Sequence, residues 1–374
     1  MGRFNLYEGD SMEVLRILQV VTYMGRGGLE TMLMNYYRHI DHDRIQFDFL
    51  THRQERWDYD DEIQMLGGKI YRLPVLNPFS LTYRRALEDF FENHPEYQII
   101  HVHQDCLSSV ILKSAKKHGV KVRIAHSHSS SQDKNIKYLI KMYYKRFIPK
   151  YSTYRFACSQ EAGKWMFNGA EFEILNNAID ANAYSYNEDK RMKLRKVLNI
   201  PKDSLVVGHV GRFCYPKNHT FLIDIFDRLC RQKQAHLLLV GDGELRPQIE
   251  KKVKSLHLED KVIFTGLRSD VADLMQAMDL FLFPSNYEGL PVTMIEAQAA
   301  GLPCIISDKV PIECKKTDLV QQLSLEDNIE KWVDKVIDSF KIERRNTYGE
   351  IKASGFDIRE NAIRLMEFYF SQPI

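Results

Sequence analysis

Short apolar runs alternate with helix-like segments along nearly the whole chain. The first half has such runs at residues 14–21, 45–52, 69–74, 97–104, 121–129 and 152–159. After the polar stretch 187–204 the pattern restarts, with runs at residues 204–212, 236–243, 261–266, 280–285 and 303–308. Short apolar runs separated by helices are typical of buried parallel strands. The sequence therefore predicts an α/β protein of two Rossmann-like domains, each with its own parallel sheet.

Composition narrows the classes of protein that fit this pattern. The chain has 374 residues, which suits two domains, and a formal net charge of +2, which gives no global field for a nucleic-acid partner. The six cysteines form no C-x-x-C pair, so we expect neither a cysteine zinc site of the common spacings nor a disulfide framework. No signal-like start and no membrane-spanning apolar run are visible, so we expect a cytoplasmic protein. Met12, just before the first run, is an alternative start.

Ligands of open parallel sheets bind beyond the carboxyl ends of the strands. Gly25–Gly28 follow the first run and open a helix at Leu29. Glycines allow close approach of a ligand, and a helix start favours an anion. The same turn fits a plain strand–helix joint, or a dinucleotide-dependent dehydrogenase. The dehydrogenase would need an acidic residue after the second strand, which instead ends in Thr51, His52 and Arg53.

The first strand of the second half is followed by two cations in one loop. Arg212 comes directly after Gly211, and Lys217 lies five positions later. A planar guanidinium and a compact ammonium are suited to clamp a diphosphate, although two solvated loop cations are an alternative. Gly241 ends the next strand and either faces a nucleotide or forms an ordinary turn.

Residues 285–297 carry two carboxylates, Glu288 in a loop and Glu296 in the following apolar helix. A helix that is apolar all round is buried, so Glu296 needs polar partners. The two hydroxyls of a ribose suit a carboxylate, and pairing with a neighbouring arginine is the alternative. Glu288 can likewise accept from sugar hydroxyls, and the N–H groups of Gly289 and Leu290 can point at the donor.

The E-x7-E spacing from Glu288 to Glu296, the G-R-x4-K segment ending at Lys217 and the GG loop together resemble the retaining GT-B glycosyltransferases. The chain is particularly similar to bacterial members that build capsular and exopolysaccharides, from about Val14 to its final helix. The resemblance implies GT-B architecture, in which the parallel sheets of two Rossmann-like domains face a central cleft. The predicted parts are an acceptor-side domain 1–185, a nucleotide-sugar donor domain 186–356 and a helix 357–374 that crosses back to the first domain.

The resemblance also implies roles for matched positions. Arg212 and Lys217 would bind the donor diphosphate, Glu296 the ribose and Glu288 the transferred sugar, while His126 would lie near the reaction centre. The predicted catalytic residues are His126, Arg212, Lys217 and Glu288. The predicted donor-binding residues are Gly27, Gly28, Gly211, Arg212, Lys217, Gly241, Glu288, Gly289, Leu290 and Glu296. The family often has the sequence N-G-I-D after the first domain, whereas this chain has Asn177-Ala178-Ile179-Asp180, with alanine in place of the glycine.

Transfer breaks the bond between an anomeric carbon and a diphosphate, so negative charge grows on the leaving phosphate. Fixed cations and helix N-termini stabilise that charge without a metal. The two D-x-D segments, 41–43 and 58–60, do not lie at carboxyl ends of strands, so we expect neither a metal nor another cofactor. No nucleophile for a double displacement is evident, and the family implies a front-face substitution with retention.

Two H-x-H pairs, 101–103 and 126–128, end strands in the first half. Residues two apart on a strand share a face, which is also typical of zinc hydrolase sites. The acids that accompany such sites at other strand ends are missing. We interpret His126 as a site residue and His103 as an acceptor-side residue, with ordinary packing for the other two.

A basic segment at residues 134–151 completes the candidate features. On a helix, Lys134, Lys137, Lys141 and Lys145 would form one face opposite the apolar side chains. One interpretation is a surface helix packed on the sheet. The other is a peripheral contact with the inner face of an anionic membrane, where a lipid-linked acceptor would lie.

Taken together, the residues and the resemblance predict a hexosyltransferase. We expect it to move a hexose or N-acetylhexosamine from a nucleotide sugar, which we predict to be a UDP-sugar, to a growing glycan. We predict that this glycan is lipid-linked and that the reaction belongs to surface polysaccharide synthesis. The alternatives are a sugar-nucleotide epimerase of the same fold and a non-catalytic nucleotide-sugar-binding subunit.

Overall fold

A computed structural model describes residues 14–129 and 138–374. Met12, Lys134 and Lys137 lie outside these residues. The described chain forms two compact units. One contains the residues up to Asn176 together with Arg359–Ile374, and the other contains Asn177–Ile358.

The first unit is built on a seven-stranded sheet in the order β3-β2-β1-β4-β5-β6-β7. Its strands are β1 Leu15–Val20, β2 Ile45–Thr51, β3 Ile70–Arg72, β4 Ile99–Val102, β5 Val122–Ser127, β6 Tyr154–Ala157 and β7 Glu173–Ile174. The second unit has a six-stranded sheet in the order β10-β9-β8-β11-β12-β13. Its strands are β8 Leu205–Val210, β9 Ala235–Val240, β10 Val262–Gly266, β11 Leu280–Phe283, β12 Cys304–Ser307 and β13 Val320–Leu323. Neighbouring strands pair in parallel in both sheets, which confirms the predicted α/β class.

Helices connect the strands. Those of the first unit are α1 Gly28–His39, α2 Asp60–Met65, α3 Leu81–Asn93, α4 Ser108–Lys117, α5 Tyr138–Lys145, α6 Ile148–Tyr151 and α7 Gln160–Phe167. Those of the second are α8 Ala181–Tyr184, α9 Glu188–Val197, α10 His219–Cys230, α11 Arg246–Ser255, α12 Val271–Ala277, α13 Val292–Ala299, α14 Ile329–Ser339 and α15 Tyr348–Ala353. Helix α16, Ile358–Phe370, begins at the last residue of the second unit and continues in the first. Short 3₁₀ helices span Asp105–Leu107, Tyr215–Lys217 and Ile312–Cys314.

Local sequence explains where several helices begin. The side chains of Ser80, Ser159, Asn187 and Asn328 each accept a hydrogen bond from the N–H three residues further on. Such N-caps satisfy a backbone donor that has no partner within the helix. They fix the first turns of α3, α7, α9 and α14.

Each sheet has one point where the strand order reverses. It lies between β1 and β4 in the first unit and between β8 and β11 in the second. The loops that leave two such strands diverge to opposite faces of the sheet and open a crevice at the carboxyl ends. Each unit therefore offers one natural ligand crevice.

Buried side chains hold each unit together separately. In the first unit, Tyr83, Ile100, Ile111 and Phe167 belong to one core cluster. In the second, clusters around Phe226 and around Phe281 pack on the sheet. Burying a large apolar side chain stabilises the fold by about 1.5–3 kcal/mol.

Residues 177–185 differ from the predicted domain assignment, because they pack in the second unit. Ile179 forms an isolated parallel bridge with Asp357 and shares a core cluster with Ala181 and Ile295. The alanine at position 178, which replaces the family's glycine, is buried.

Helix α5 corrects the predicted arrangement of the basic segment. Leu139, Ile140 and Tyr143 are exposed, whereas Lys145 donates to the carbonyl of Trp165 and its ammonium lies 4.4 Å from that indole ring. The apolar face of α5 therefore points outward, and Lys145 lies against Trp165 of α7 in the same unit.

Candidate active site

The crevice of the second unit lies between the loops that follow β8 and β11. Two asparagines tie these loops together. The backbone N–H of Asn286 donates to Pro216 O at 2.7 Å, and its side chain donates to Tyr215 O at 2.8 Å. The side chain of Asn218 donates to Pro284 O at 3.0 Å. These bonds hold the segment containing Lys217 against the one containing Glu288.

Lys217 and Glu288 form an ion pair at the centre of this crevice. Lys217 Nζ lies 2.8 Å from Glu288 Oε1, and the side chains are 17% and 11% exposed. The ammonium also lies 4.6 Å from the centroid of the Phe283 ring, which favours a cation. An ammonium has three N–H donors, so Lys217 can contact a further anion while it keeps Glu288.

Arg212 occupies a different position from Lys217. Its guanidinium is 72% exposed and lies 3.1 Å from Glu244 Oε2. An exposed pair of this kind contributes little to stability, so the side chain can leave Glu244 at low cost. The two cations predicted to bind the diphosphate therefore contact different carboxylates in this structure, Arg212 that of Glu244 and Lys217 that of Glu288.

The predicted glycines allow close packing of the crevice floor. Gly241 has φ +135°, and a Cβ at this position would lie 2.2 Å from Gly211 O. Only a glycine allows this approach. At Gly289, a Cβ would meet no described atom within 4 Å, so the backbone beside Leu290 faces open space.

Glu296 lies in the buried stretch Met294–Ala299 of α13, as the apolar pattern predicts. Only 8% of the residue is exposed. Tyr184 OH donates to Glu296 Oε1 at 2.8 Å, so the partner is a tyrosine from α8 and not an arginine. Burial raises the pKa of Glu296 to about 7, and the Tyr184 hydrogen bond opposes that rise.

Two buried histidines lie next to Lys217. The ring of His219 stacks on Phe213 at 4.1 Å, and His209 Nδ1 donates to Leu282 O at 2.9 Å. Burial, and then the charge of Lys217, lower the pKa of His219 to about 4; burial likewise lowers that of His209. Both rings are neutral near pH 7 and add no charge beside Lys217.

In the first unit, the carboxyl group of Glu30 lies at the glycine turn where we predicted that an anion would bind. Gly27 is the N-cap of α1 and Gly28 is its first residue. The side chain of Glu30 folds back, so that a Cβ on Gly27 would lie 2.2 Å from Glu30 Oε2. Burial raises the pKa of Glu30 to about 7. A phosphate at this helix start would have to displace the carboxyl or meet it protonated.

The four histidines of the H-x-H pairs lie together at β4 and β5. His103 Nδ1 is 2.8 Å from His128 Nε2, and His103 Nε2 is 3.0 Å from Gln19 Oε1. His126 is 1% exposed, and neither ring nitrogen has a hydrogen-bond partner among the described residues. Burial lowers the pKa of all four rings, that of His128 to about 3. The predicted contact of His126 with a donor sugar would require its surroundings to open, and that role stays a prediction.

Comparison with known proteins identifies the family. Residues 190–352 match "Glycosyl transferases group 1", and residues 26–183 match "Glycosyltransferase Family 4". The putative glycosyltransferase EpsF of Bacillus subtilis is 35% identical over 373 residues, covering 95% of this chain and 96% of EpsF. The chain belongs to the group 1 glycosyltransferases. The capsular polysaccharide biosynthesis glycosyltransferase CapH of Staphylococcus aureus is 22% identical over 376 residues, covering 96% of this chain and 100% of CapH.

Solved structures agree with this assignment at the level of the fold. The crystal structure of HepE from Anabaena in complex with UDP-glucose has a TM-score of 0.77 and 18% sequence identity. It covers 96% of this chain and 100% of HepE. This likeness confirms the predicted GT-B fold, and the family matches together with EpsF confirm the prediction of a glycosyltransferase.

Several residues of the glycosyltransferase's crevice have no marker in the sequence. Tyr184 reaches Glu296 across 112 positions, and nothing near it distinguishes it from other tyrosines. Phe283 looks like an ordinary strand residue. The asparagine at 218 does carry a signal, because it follows Lys217 directly and adopts φ +53°, a conformation that asparagine tolerates.

Proposed function

We propose that this glycosyltransferase transfers a hexose or N-acetylhexosamine from a UDP-sugar, with retention, to a growing lipid-linked glycan. The observation that carries the donor assignment is the Lys217–Glu288 pair, held 2.8 Å apart beside the helix that carries Glu296. The donor diphosphate would bind Lys217 and recruit Arg212. Glu296 would accept from the ribose hydroxyls and Glu288 from the sugar.

The proposed chemistry uses these charges without a metal ion. The acceptor oxygen attacks the anomeric carbon on the face from which UDP departs. The bond between that carbon and the phosphate oxygen breaks with its electron pair going to UDP, and the acceptor proton passes to the leaving phosphate. Lys217 and Arg212 stabilise the growing negative charge, which in measured cases is worth about 2.7–4 kcal/mol for each donor.

A panel of nucleotide sugars tests this function. Thermal unfolding and slow donor hydrolysis should be measured with UDP-, GDP- and ADP-sugars, with and without EDTA. We expect one UDP-sugar to raise the melting temperature and to be hydrolysed, and we expect the donor-dependent rise to be the same with chelator. Stabilisation by GDP- or ADP-sugars alone would refute the UDP assignment, and a rise seen only with added metal would refute the metal-free mechanism.

The lipid-linked acceptor is supported by an exposed apolar patch in the first unit, formed by Phe79, Leu81, Leu139, Ile140 and Tyr143. Leu139 is 77% exposed and Phe79 is 62% exposed. The rings of Phe79 and Tyr144 lie 6.4 Å apart, so α5 and the segment before α3 are neighbours.

Cations border this apolar patch. Arg146 and Lys150 are exposed next to it, and Arg84 and Arg85 are exposed on α3. No helix in the described part of the chain is long and apolar enough to cross a membrane. Apolar side chains bordered by cations suit the surface of an anionic bilayer, at which a lipid-linked glycan would be presented.

Vesicle binding tests the membrane contact. The double variant Leu139→Ser, Tyr143→Ser should lose about 2–4 kcal/mol of binding to phosphatidylcholine vesicles that contain phosphatidylglycerol, because two apolar side chains no longer enter the interface. Flotation assays at low salt measure this. Leu267→Ser changes a leucine of the second unit that is 63% exposed and should leave binding unchanged. Equal binding by the wild type and the double variant would refute the patch as a membrane contact.

A further inference from the structure

Three histidine rings are packed together in the first unit, outside the residues that the proposed transfer chemistry uses for charge. His101, His103 and His126 point to one face of the sheet, because alternate residues share a face and Val102 pairs with Ala125. One ring nitrogen from each lies within 4.8 Å of the other two. The ring centroids are 4.4 Å apart for His101 and His103, and 5.2 Å apart for His126 and each of the others.

Neighbouring groups set which nitrogens carry lone pairs. Gln19 Oε1 can only accept, so His103 Nε2 donates to it and Nδ1 carries the lone pair. Tyr369 OH lies 2.7 Å from His101 Nδ1, which leaves His101 Nε2 pointing away from Tyr369. The two contacts hold the rings as second-sphere partners hold metal-bound histidines.

The remaining nitrogens are buried without partners. His101 Nε2 and both ring nitrogens of His126 have no hydrogen bond to any described residue. Buried polar atoms are normally satisfied, so these three nitrogens are open to a water or a ligand. His103 Nδ1 has a replaceable partner, since it accepts from His128 Nε2, and His128 is only half-buried.

A small cavity adjoins these nitrogens. It measures about 10 Å³, room for one water-sized group, and is lined by the three histidines together with Gln19, Tyr369 and apolar side chains such as Leu33 and Phe47. The polar atoms of the cavity wall are therefore mostly imidazole nitrogens.

We propose that His101, His103 and His126 bind one divalent transition-metal ion, and specifically Zn²⁺. Three neutral imidazoles and one exchangeable position are a regular Zn²⁺ set. The ring of His101 is stacked on His103 at 24° and on His126 at 19°, so the rings would turn about their Cβ–Cγ bonds to bring one nitrogen from each to about 2.0–2.1 Å from the ion. A water in the cavity or His128 would complete the tetrahedron. The ion would fix the carboxyl ends of β4 and β5 to each other and, through Tyr369, to α16.

The site is independent of the proposed function. The ion departs from two predictions made from the sequence, that the chain has no metal and that His126 is catalytic. It takes no part in the proposed transfer step, because the charges assigned to the leaving diphosphate belong to the second unit. Loss of Zn²⁺ binding and loss of donor binding can therefore be measured separately.

Cobalt and zinc titrations of chelator-treated protein test the proposal. We expect one Co²⁺ per chain with the visible absorption bands of a tetrahedral site, displaced by Zn²⁺, and a higher melting temperature with either ion. Tyr369→Phe should weaken binding by about 10- to 100-fold, because it removes the hydroxyl that orients His101 directly and contacts Gln19, the partner of His103. His126→Leu should abolish the bands while the metal-free melting temperature stays equal or rises, because an unsatisfied buried ring is replaced by an apolar side chain.

His118→Gln is the matched control, since His118 lies at the end of α4 and contacts Ser114 O. It should bind Co²⁺ as the wild type does. The proposal is overturned if the wild type shows no tetrahedral bands, if His126→Leu retains wild-type affinity, or if His118→Gln loses binding to the same extent.

Discussion

Replacing Lys217 by methionine should lower the turnover number by a factor of about 10²–10³, the loss measured when one fixed donor to a developing anion is removed. Methionine keeps most of the side-chain length and its contact with Phe283 but has no charge. Because negative charge on the diphosphate grows during bond breaking, turnover should fall more than the affinity for UDP. Steady-state kinetics and calorimetric titration with UDP measure the two effects separately.

The same variant leaves Glu288 without its cation. Since Glu288 is only 11% exposed, some loss of stability is expected, and activity should be compared at a temperature where both proteins are folded. Lys251→Met, on the exposed side of α11, removes an equal charge outside the crevice and should leave turnover unchanged. A Lys217→Met enzyme with near wild-type turnover would exclude Lys217 from the reaction, whatever its effect on UDP affinity.

The strands could be predicted from the sequence because parallel strands in buried sheets are short apolar runs. Two edge strands lacked that signal: Glu173–Ile174 has only two residues, and Val320–Leu323 reads V-Q-Q-L. Strand order is not encoded in local periodicity. The reversal between β8 and β11, which brings the Lys217 loop next to the Glu288 loop, therefore had to come from the structure.

For the candidate site as well, local sequence patterns predicted the elements but not the tertiary contacts between them. The apolar pattern correctly placed Glu296 in a buried helix, whereas the assignment of the loops after β8 and β11 to the donor site stays a prediction. The partner of each charge depends on tertiary packing, so neither the Tyr184 bond to Glu296 nor the exposure of Arg212 could be read from spacing. The outward apolar face of α5 likewise depends on tertiary packing, since Lys145 donates to a carbonyl of α7 that is distant in sequence.

The Glu296→Gln variant should be more stable than the wild type in the donor-free state above about pH 7. The pKa of Glu296 rises from its ordinary value of 4.5 to about 7 in the folded protein. Between these values the folded state binds more protons than the unfolded chain, so wild-type stability falls as pH rises through this window. Glutamine cannot ionise, and its oxygen still accepts from Tyr184. The gain should approach about 3 kcal/mol at most, measured by denaturant unfolding on both sides of the window.

Donor affinity should change in the opposite direction. An ionised Glu296 can accept from both ribose hydroxyls, so wild-type affinity for UDP should rise with pH until the carboxyl is fully ionised, by about tenfold per unit below pH 7. Glu296→Gln should bind more weakly above pH 7 and show no such dependence. Tyr184→Phe removes the hydrogen bond that lowers the pKa of Glu296, so the pH at which affinity levels off should move upward.

A variant that is more stable yet binds its ligand less well distinguishes a functional carboxylate from a structural one. If Glu296 served only packing, glutamine would change stability without changing the pH dependence of UDP affinity. Glu259→Gln, at an exposed position of the same unit, removes a carboxylate without either effect. Should Glu296→Gln keep the wild-type pH profile, ribose recognition would have to be assigned to another group. Should it lose both stability and affinity, Glu296 would be ionised in the donor-free fold, and the burial argument for its raised pKa would be wrong.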